Sequence, residues 1–306
     1  MIYGVICASM LEFSSEGREM AKTSRLLKLC ILNIKIESNT TTGTERERYS
    51  KLMEALYNAK VPVKLRGDRY CMMRLMFNNE GVTHEKHGML VAFTTVNSDD
   101  YFNMATLNIE TGLTFDRSKC LNPKDIPFFF FSDHHRIFIP ADGDISINSV
   151  IKYFEKALNK IVKPDEIVHV IPEQSKVGFD KIKAAHDISK ITIHITPTNS
   201  DDVALALARK MDASYKEAGV GEVNSEYRPR KGKKHNTIGD SDFINAEMFL
   251  ARENGWVEAD IINSMGKREK IATRESPLIL KLLHHDNFED VDLVKEYIHN
   301  RYDEEK

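Results

Sequence analysis

The chain has 306 residues, 42% of them hydrophobic and 29% charged, so it is long enough for two domains and needs no disulfide or metal to build a core. Its 43 basic residues stand against 46 acidic ones, a formal net charge of −3, so any cationic surface must be local. Cys7, Cys30, Cys71 and Cys120 are scattered without zinc spacing, and no apolar run reaches the ~18 residues of a membrane span. The N-terminus lacks the positive charges of a signal peptide, and Glu12 interrupts its apolar run. A cytoplasmic chain with thiols acting as small buried hydrophobes and no membrane insertion is expected.

In chain order, LLKLCILNIKI (26–36) reads as a strand, 37–46 as a polar loop and 47–59 as a helix. Strands follow at 61–65, 70–77 and 88–96. IPFFFFS (126–132) and RIFIP (136–140) form a hairpin, its four phenylalanines fitting a strand buried on both faces. Residues 146–161 make a helix capped by Ser146, with Val150, Ile151, Phe154 and Leu158 on one side. Strand (166–171), helix (173–186), strand (188–196) and a long helix from 197 to 215 come next. A helix at 242–255 stops at Gly255, the WVEADI and EKIAT segments are strands, and 290–302 is a closing helix. Clustered strands followed by alternating units predict an α+β fold of two lobes, mixed sheets with flanking helices. The boundary is placed in KIVKPDE, dividing an N-terminal α+β lobe (1–163) from a C-terminal α/β lobe (164–306).

Several chemistries are missing. No P-loop, dinucleotide fingerprint or nucleophile elbow is present, and the acidic spacing of a metal nuclease is not completed. No cofactor and no metal are expected. His134 and His135 are adjacent, as are His284 and His285, and neighbours on a strand point to opposite faces. His84 and His87 fall in what reads as a loop. The TNSDD segment (198–202) has the residues of a helix N-cap. A sharper reading makes His134, His135 and Arg136 a site at the hairpin tip, with a histidine as general acid or base of an RNA- or nucleotide-modifying enzyme.

The segment YRPRKGKKHN gathers Arg228, Arg230, Lys231, Lys233 and Lys234 into a stretch that Pro229 and Gly232 keep out of a helix. Long cationic arms of this kind neutralise phosphates and release counterions. Tyr227 at its edge has the ring to stack on a base. Lys267 and Arg268, with Arg274 after them, extend the face in the same lobe, while acidic residues gather near the C-terminus.

ITPTNSDD (195–202), ENGWVEA (253–259) and ATRESP (272–277), with DHHRIFI (133–139), resemble a bacterial family described only as a domain of unknown function. That resemblance implies no catalytic residue. The order of IPFFFFSDHHRIFI, an amphipathic helix, EIVHVIPE and ISKITIHI is similar to that of RexA, the abortive-infection protein of phage lambda. This resemblance implies a two-lobed α+β homodimer binding DNA largely without sequence specificity in phage exclusion. The expectation is a cytoplasmic protein of phage defence that binds nucleic acid, double-stranded DNA above all, without enzymatic activity. Its partners would be DNA, a second copy and an operon-encoded effector.

Overall fold

A computed structural model describes residues 25–38, 44–79, 82–96, 100–111, 116, 118–197, 205–230, 238–284 and 290–303. In chain order the elements begin β1 (Arg25–Ser38), α1 (Glu45–Ala59), β2 (Val63–Arg66), β3 (Arg69–Asn79), β4 (Val82–Thr94), β5 (Asp100–Asn103) and β6 (Asn108–Thr111). They continue with β7 (Leu121–Phe131), β8 (Arg136–Pro140), α2 (Ile147–Leu158), β9 (Glu166–Pro172), α3 (Lys176–Lys183), β10 (Asp187–Ile195) and α4 (Ala206–Glu217). The last are β11 (Val223–Tyr227), α5 (Asp242–Asn254), β12 (Gly255–Ile262), β13 (Arg268–Ala272), a 3-10 turn (Thr273–Glu275), β14 (Ile279–His284) and α6 (Asp290–Asp303). The fold is α+β, as the sequence pattern predicts.

One large sheet runs β14-β1-β8-β7-β4-β3-β2, and β9 joins it through β1. β1 pairs antiparallel with β14 through Arg25–Cys30, with β8 through Leu29–Asn33 and with β9 through Leu32–Ser38. Strands β9 and β14, both beyond residue 164, thus belong to the sheet of the N-terminal half. The period-2 alternation of β1 feeds two cores. Cys30, Leu32, Ile34 and Ile36 pack with Tyr49, Met53 and Leu56 of α1 and with Val150, Phe154 and Leu158 of α2. Leu27, Leu29 and Ile31 pack on the opposite face with Val294 and Ile298 of α6. The phenylalanine run divides in the same way, Phe128 and Phe130 into the first core, Phe129 and Phe131 into the second. Ser146 caps α2 by accepting from Ser149 N, as its sequence position predicts.

A second sheet runs β11-β10-β12-β13. Ile191, Ile193, Ile195, Val257, Ala259 and Ile261 point to one side, where Phe179, Ile182, Ala208, Met248 and Leu250 from α3, α4 and α5 close a separate core. The alternate residues Lys190, Thr192, His194, Trp256, Glu258 and Asp260 form the other face and are half-buried or exposed. The two sheets meet at a polar joint. Asn33 Nδ2 donates to Asn254 Oδ1 at 3.3 Å, and Lys35 Nζ donates to the Thr196 and Pro197 carbonyls at 2.6 and 3.2 Å.

Some local expectations need correction. Helix α5 stops at Gly255 as expected, but its cap is not a left-handed turn: Gly255 opens β12 in extended backbone, and a Cβ there would lie 1.8 Å from the His194 carbonyl oxygen. Residues 82–87 are strand, so His84 and His87 lie on β4 and not in a loop. Strands β5, β6, β11 and β14 are additional to the sequence reading. Helix α4 starts at Ala206 after Leu205, and the TNSDD segment lies outside the described residues. Among the described residues no helix is long and apolar enough to cross a membrane.

Candidate functional site

Of the histidines of the β7–β8 turn, His135 is committed inward and His134 is half-buried. His135 adopts a left-handed φ of 55° and is buried, its ring stacked 3.9 Å from that of Tyr49. Burial, then the charges of Arg136, His134 and Lys35, push its pKa down to about 3, so it is neutral at physiological pH. Arg136 Nε donates to Glu173 Oε1 at 2.6 Å and Arg136 NH1 to the His134 carbonyl at 2.8 Å. Glu173 is itself buried. Buried Cys30 and Cys71 are pushed up to about 12 by burial, which removes them as nucleophiles, whereas Cys120 is exposed. Cys7 and His285 lie outside the described residues.

The cationic residues divide by register. Tyr227 pairs with Ile191, Lys190 with Asp260 and Asp260 with Lys270, so Arg228, Lys190, Asp260 and Lys270 follow one row across the second sheet. Arg268 pairs with Ile262, which pairs with Asp187, and this next row lies at the same end. Two segments some forty residues apart in sequence thus reach opposite edges of one sheet end, three strand spacings or about 14 Å apart. Arg228 shares Glu226 with Lys190, each at 2.8 Å. Those two hydrogen bonds hold the Glu226 carboxyl below its ordinary range. Arg230, Lys267 and Arg268 are exposed and make no ion pair among the described residues. Lys231, Lys233 and Lys234 lie outside the described residues.

Two residues of the sequence reading sit elsewhere. Tyr227 turns to the core face, and its hydroxyl donates to Glu247 Oε2 at 2.8 Å, so its ring is not offered to a base. Arg274 lies at the opposite end of the sheet, paired with Glu258, its guanidinium 4.7 Å from the centre of the Trp256 ring. Register pairs Trp256 with His194, and their rings stack at 5.2 Å with an interplanar angle of 14°. His194 Nδ1 lies 2.9 Å from Asn224 Oδ1 and 3.1 Å from Glu222 Oε1.

This stack of imidazole, indole and guanidinium forms one wall of a cleft of about 640 Å³, whose other wall is α2 and β9, with Ile151, Glu155, His169 and Val170. The sequence held one signal for it: Trp256, the sole tryptophan, falls on a position of β12 that alternates away from the core. His194 and His169 join it only through pairing between distant strands.

The matching family model is described as a domain of unknown function (DUF4747) and covers residues 25–299. A comparison with curated proteins gave no match.

Proposed function

The chain belongs to the DUF4747 family, and on that premise we propose that it is a nucleic-acid-binding protein that holds duplex DNA at the cationic end of the β11-β10-β12-β13 sheet. The observation that supports this reading is the register that aligns Arg228 with Lys270 across the sheet and brings Arg268 to the same end. Arg230 and Lys267 flank that end in sequence, and Lys231, Lys233 and Lys234 follow Arg230. Cations on two edges about 14 Å apart match the scale of a duplex groove, ~12 Å across the major groove, so each edge meets the phosphates of a different strand. Such contacts carry affinity but no sequence information. The carboxylates of Glu226 and Glu258 on the same face keep affinity moderate, because they pair with Arg228, Lys190 and Lys270 and compete for these cations.

The resemblance to RexA supplies the setting of this proposal: a cytoplasmic homodimer in phage exclusion, acting through an operon-encoded effector. The test replaces Arg228, Arg230, Lys267 and Arg268 together by glutamine. Each lost phosphate contact lowers the salt slope of log K by about 0.9, so the slope should fall by roughly 3 to 4. Affinity should drop equally for unrelated duplex sequences. An unchanged slope in a folded variant removes this surface from DNA binding.

A further inference from the structure

The cleft at the other end of the sheet carries a second inference, independent of the DNA reading. It begins with the outer edge of β9, which pairs only with β1 among the described strands. Backbone groups alternate in direction along a strand, so those of Val168, Val170 and Pro172 point away from β1. Two of these positions are met by side chains. The Asn159 amide donates to the Val168 carbonyl at 2.6 Å and accepts from Val168 N at 2.9 Å. Gln174 Nε2 donates to the Pro172 carbonyl at 2.7 Å.

Val170 lies between them, 4% exposed, and lines the cleft. Its outward N–H and C=O find no partner among the described residues. This backbone pair faces the cleft, so a bound molecule or water can complete it. Asn159 shows what fits this edge: a flat group presenting one donor and one acceptor side by side. A nucleobase edge has that form, with a ring nitrogen or carbonyl beside an N–H.

Across the cleft stand the groups that the rest of such a molecule needs. The guanidinium of Arg274, stacked on Trp256 and paired through NH2 with Glu258, turns its other N–H groups to a phosphate, and His194 adds a polar ring beside it. Glu155 can accept from ribose hydroxyls, a contact that carboxylates make in dinucleotide sites. The volume of about 640 Å³ falls within the ~300–1,000 Å³ usual for small-molecule sites. We propose that this cleft is a nucleotide pocket, in which the Val170 backbone reads the base and Arg274 holds the phosphate. A free nucleoside monophosphate and a nucleotide within a strand share this chemistry.

Trp256 is the sole tryptophan, so its fluorescence reports the cleft directly. The full chain is titrated with the four nucleoside monophosphates and with the matching nucleosides. At least one monophosphate should change the fluorescence saturably and bind at least about tenfold more tightly than its nucleoside, the least expected for a charge-assisted contact. Arg274→Gln should bring the monophosphate down to the affinity of the nucleoside. Val170→Pro removes the outward N–H, at an edge position where proline is tolerated, along with a core side chain, and should weaken nucleoside and nucleotide alike.

A short oligonucleotide that displaces the monophosphate identifies a nucleotide within a strand as occupant; one that does not identifies the free nucleotide. The quadruple glutamine variant should leave the fluorescence response intact, since its sites lie about 13 Å or more along the strands from Trp256. Failure of this pocket and failure of DNA binding therefore read out separately. No saturable change with any monophosphate at millimolar concentration overturns the pocket. So does wild-type affinity in folded Arg274→Gln, whatever the folding of the Val170→Pro variant.

Discussion

His135 occupies a turn whose left-handed backbone buries its ring against Tyr49, with Arg136, His134 and Lys35 adding unfavourable charge. Its folded pKa of about 3 lies below the ordinary 6.5, so the unfolded chain binds a proton that the folded chain refuses. This contribution to stability is full above the unfolded pKa and is lost as pH falls from 6.5 toward 3. Between pH 7 and pH 5 one such group removes about 2 kcal/mol. His135→Asn, which tolerates the left-handed turn, should lose about that much less over the interval, whatever its stability at pH 7. Urea unfolding at both pH values checks it, and equal losses in variant and parent contradict it. Gly255 faces a different constraint at the same scale. Because a Cβ would lie 1.8 Å from the His194 carbonyl oxygen, Gly255→Ala must part β10 from β12. A cost of about 2 kcal/mol or more is expected in denaturant, and a cost near zero would show that the strands can shift freely.

At the scale of elements, Asn159 closes the loop after α2 by pairing its amide with both backbone groups of Val168, at 2.6 and 2.9 Å. Val168 is buried, so Asn159→Ala strands a donor and an acceptor and should cost about 2 kcal/mol. Faster hydrogen exchange at the Val168 amide should accompany it; unchanged exchange would mean that water replaces the side chain at no cost. Elements with strong local patterns were readable in the sequence. The four phenylalanines divide between two cores as a strand buried on both faces must, and Ser146 caps α2. Elements fixed by distant partners were not. β14 owes its place to pairing with β1, about 250 residues earlier. β11 is a polar edge strand, VNSEY, whose few apolar residues give no clear alternation. The 228–234 cations are conspicuous in sequence, whereas the His194–Trp256–Arg274 stack exists only through register.

Over the whole molecule, two sheets with separate cores meet at a buried polar joint of Asn33, Lys35, Asn254 and Thr196. The large sheet is covered on both faces, by α1 and α2 on one and α6 on the other. The second sheet is covered by helices on one face; its other face holds the cleft at the Trp256 end and exposed cations at the Arg228–Lys270 end. Charge on that face is zoned. Arg228, Arg268 and Lys270 stand at one end, Glu226 and Glu258 near the middle, and Trp256 with Arg274 at the other end. A net charge of −3 for the chain is compatible with a cationic edge, because Glu226 and Glu258 are held in local pairs with Lys190, Arg228 and Lys270, while Asp260 stands as a carboxylate within the cationic row. The most direct measurement is fluorescence anisotropy of labelled duplex DNA titrated with the unmodified protein at two salt concentrations. Binding that weakens steeply with salt and is indifferent to sequence is the expected result. No binding at low salt, or binding that salt leaves unchanged, would contradict a phosphate contact by this end of the sheet.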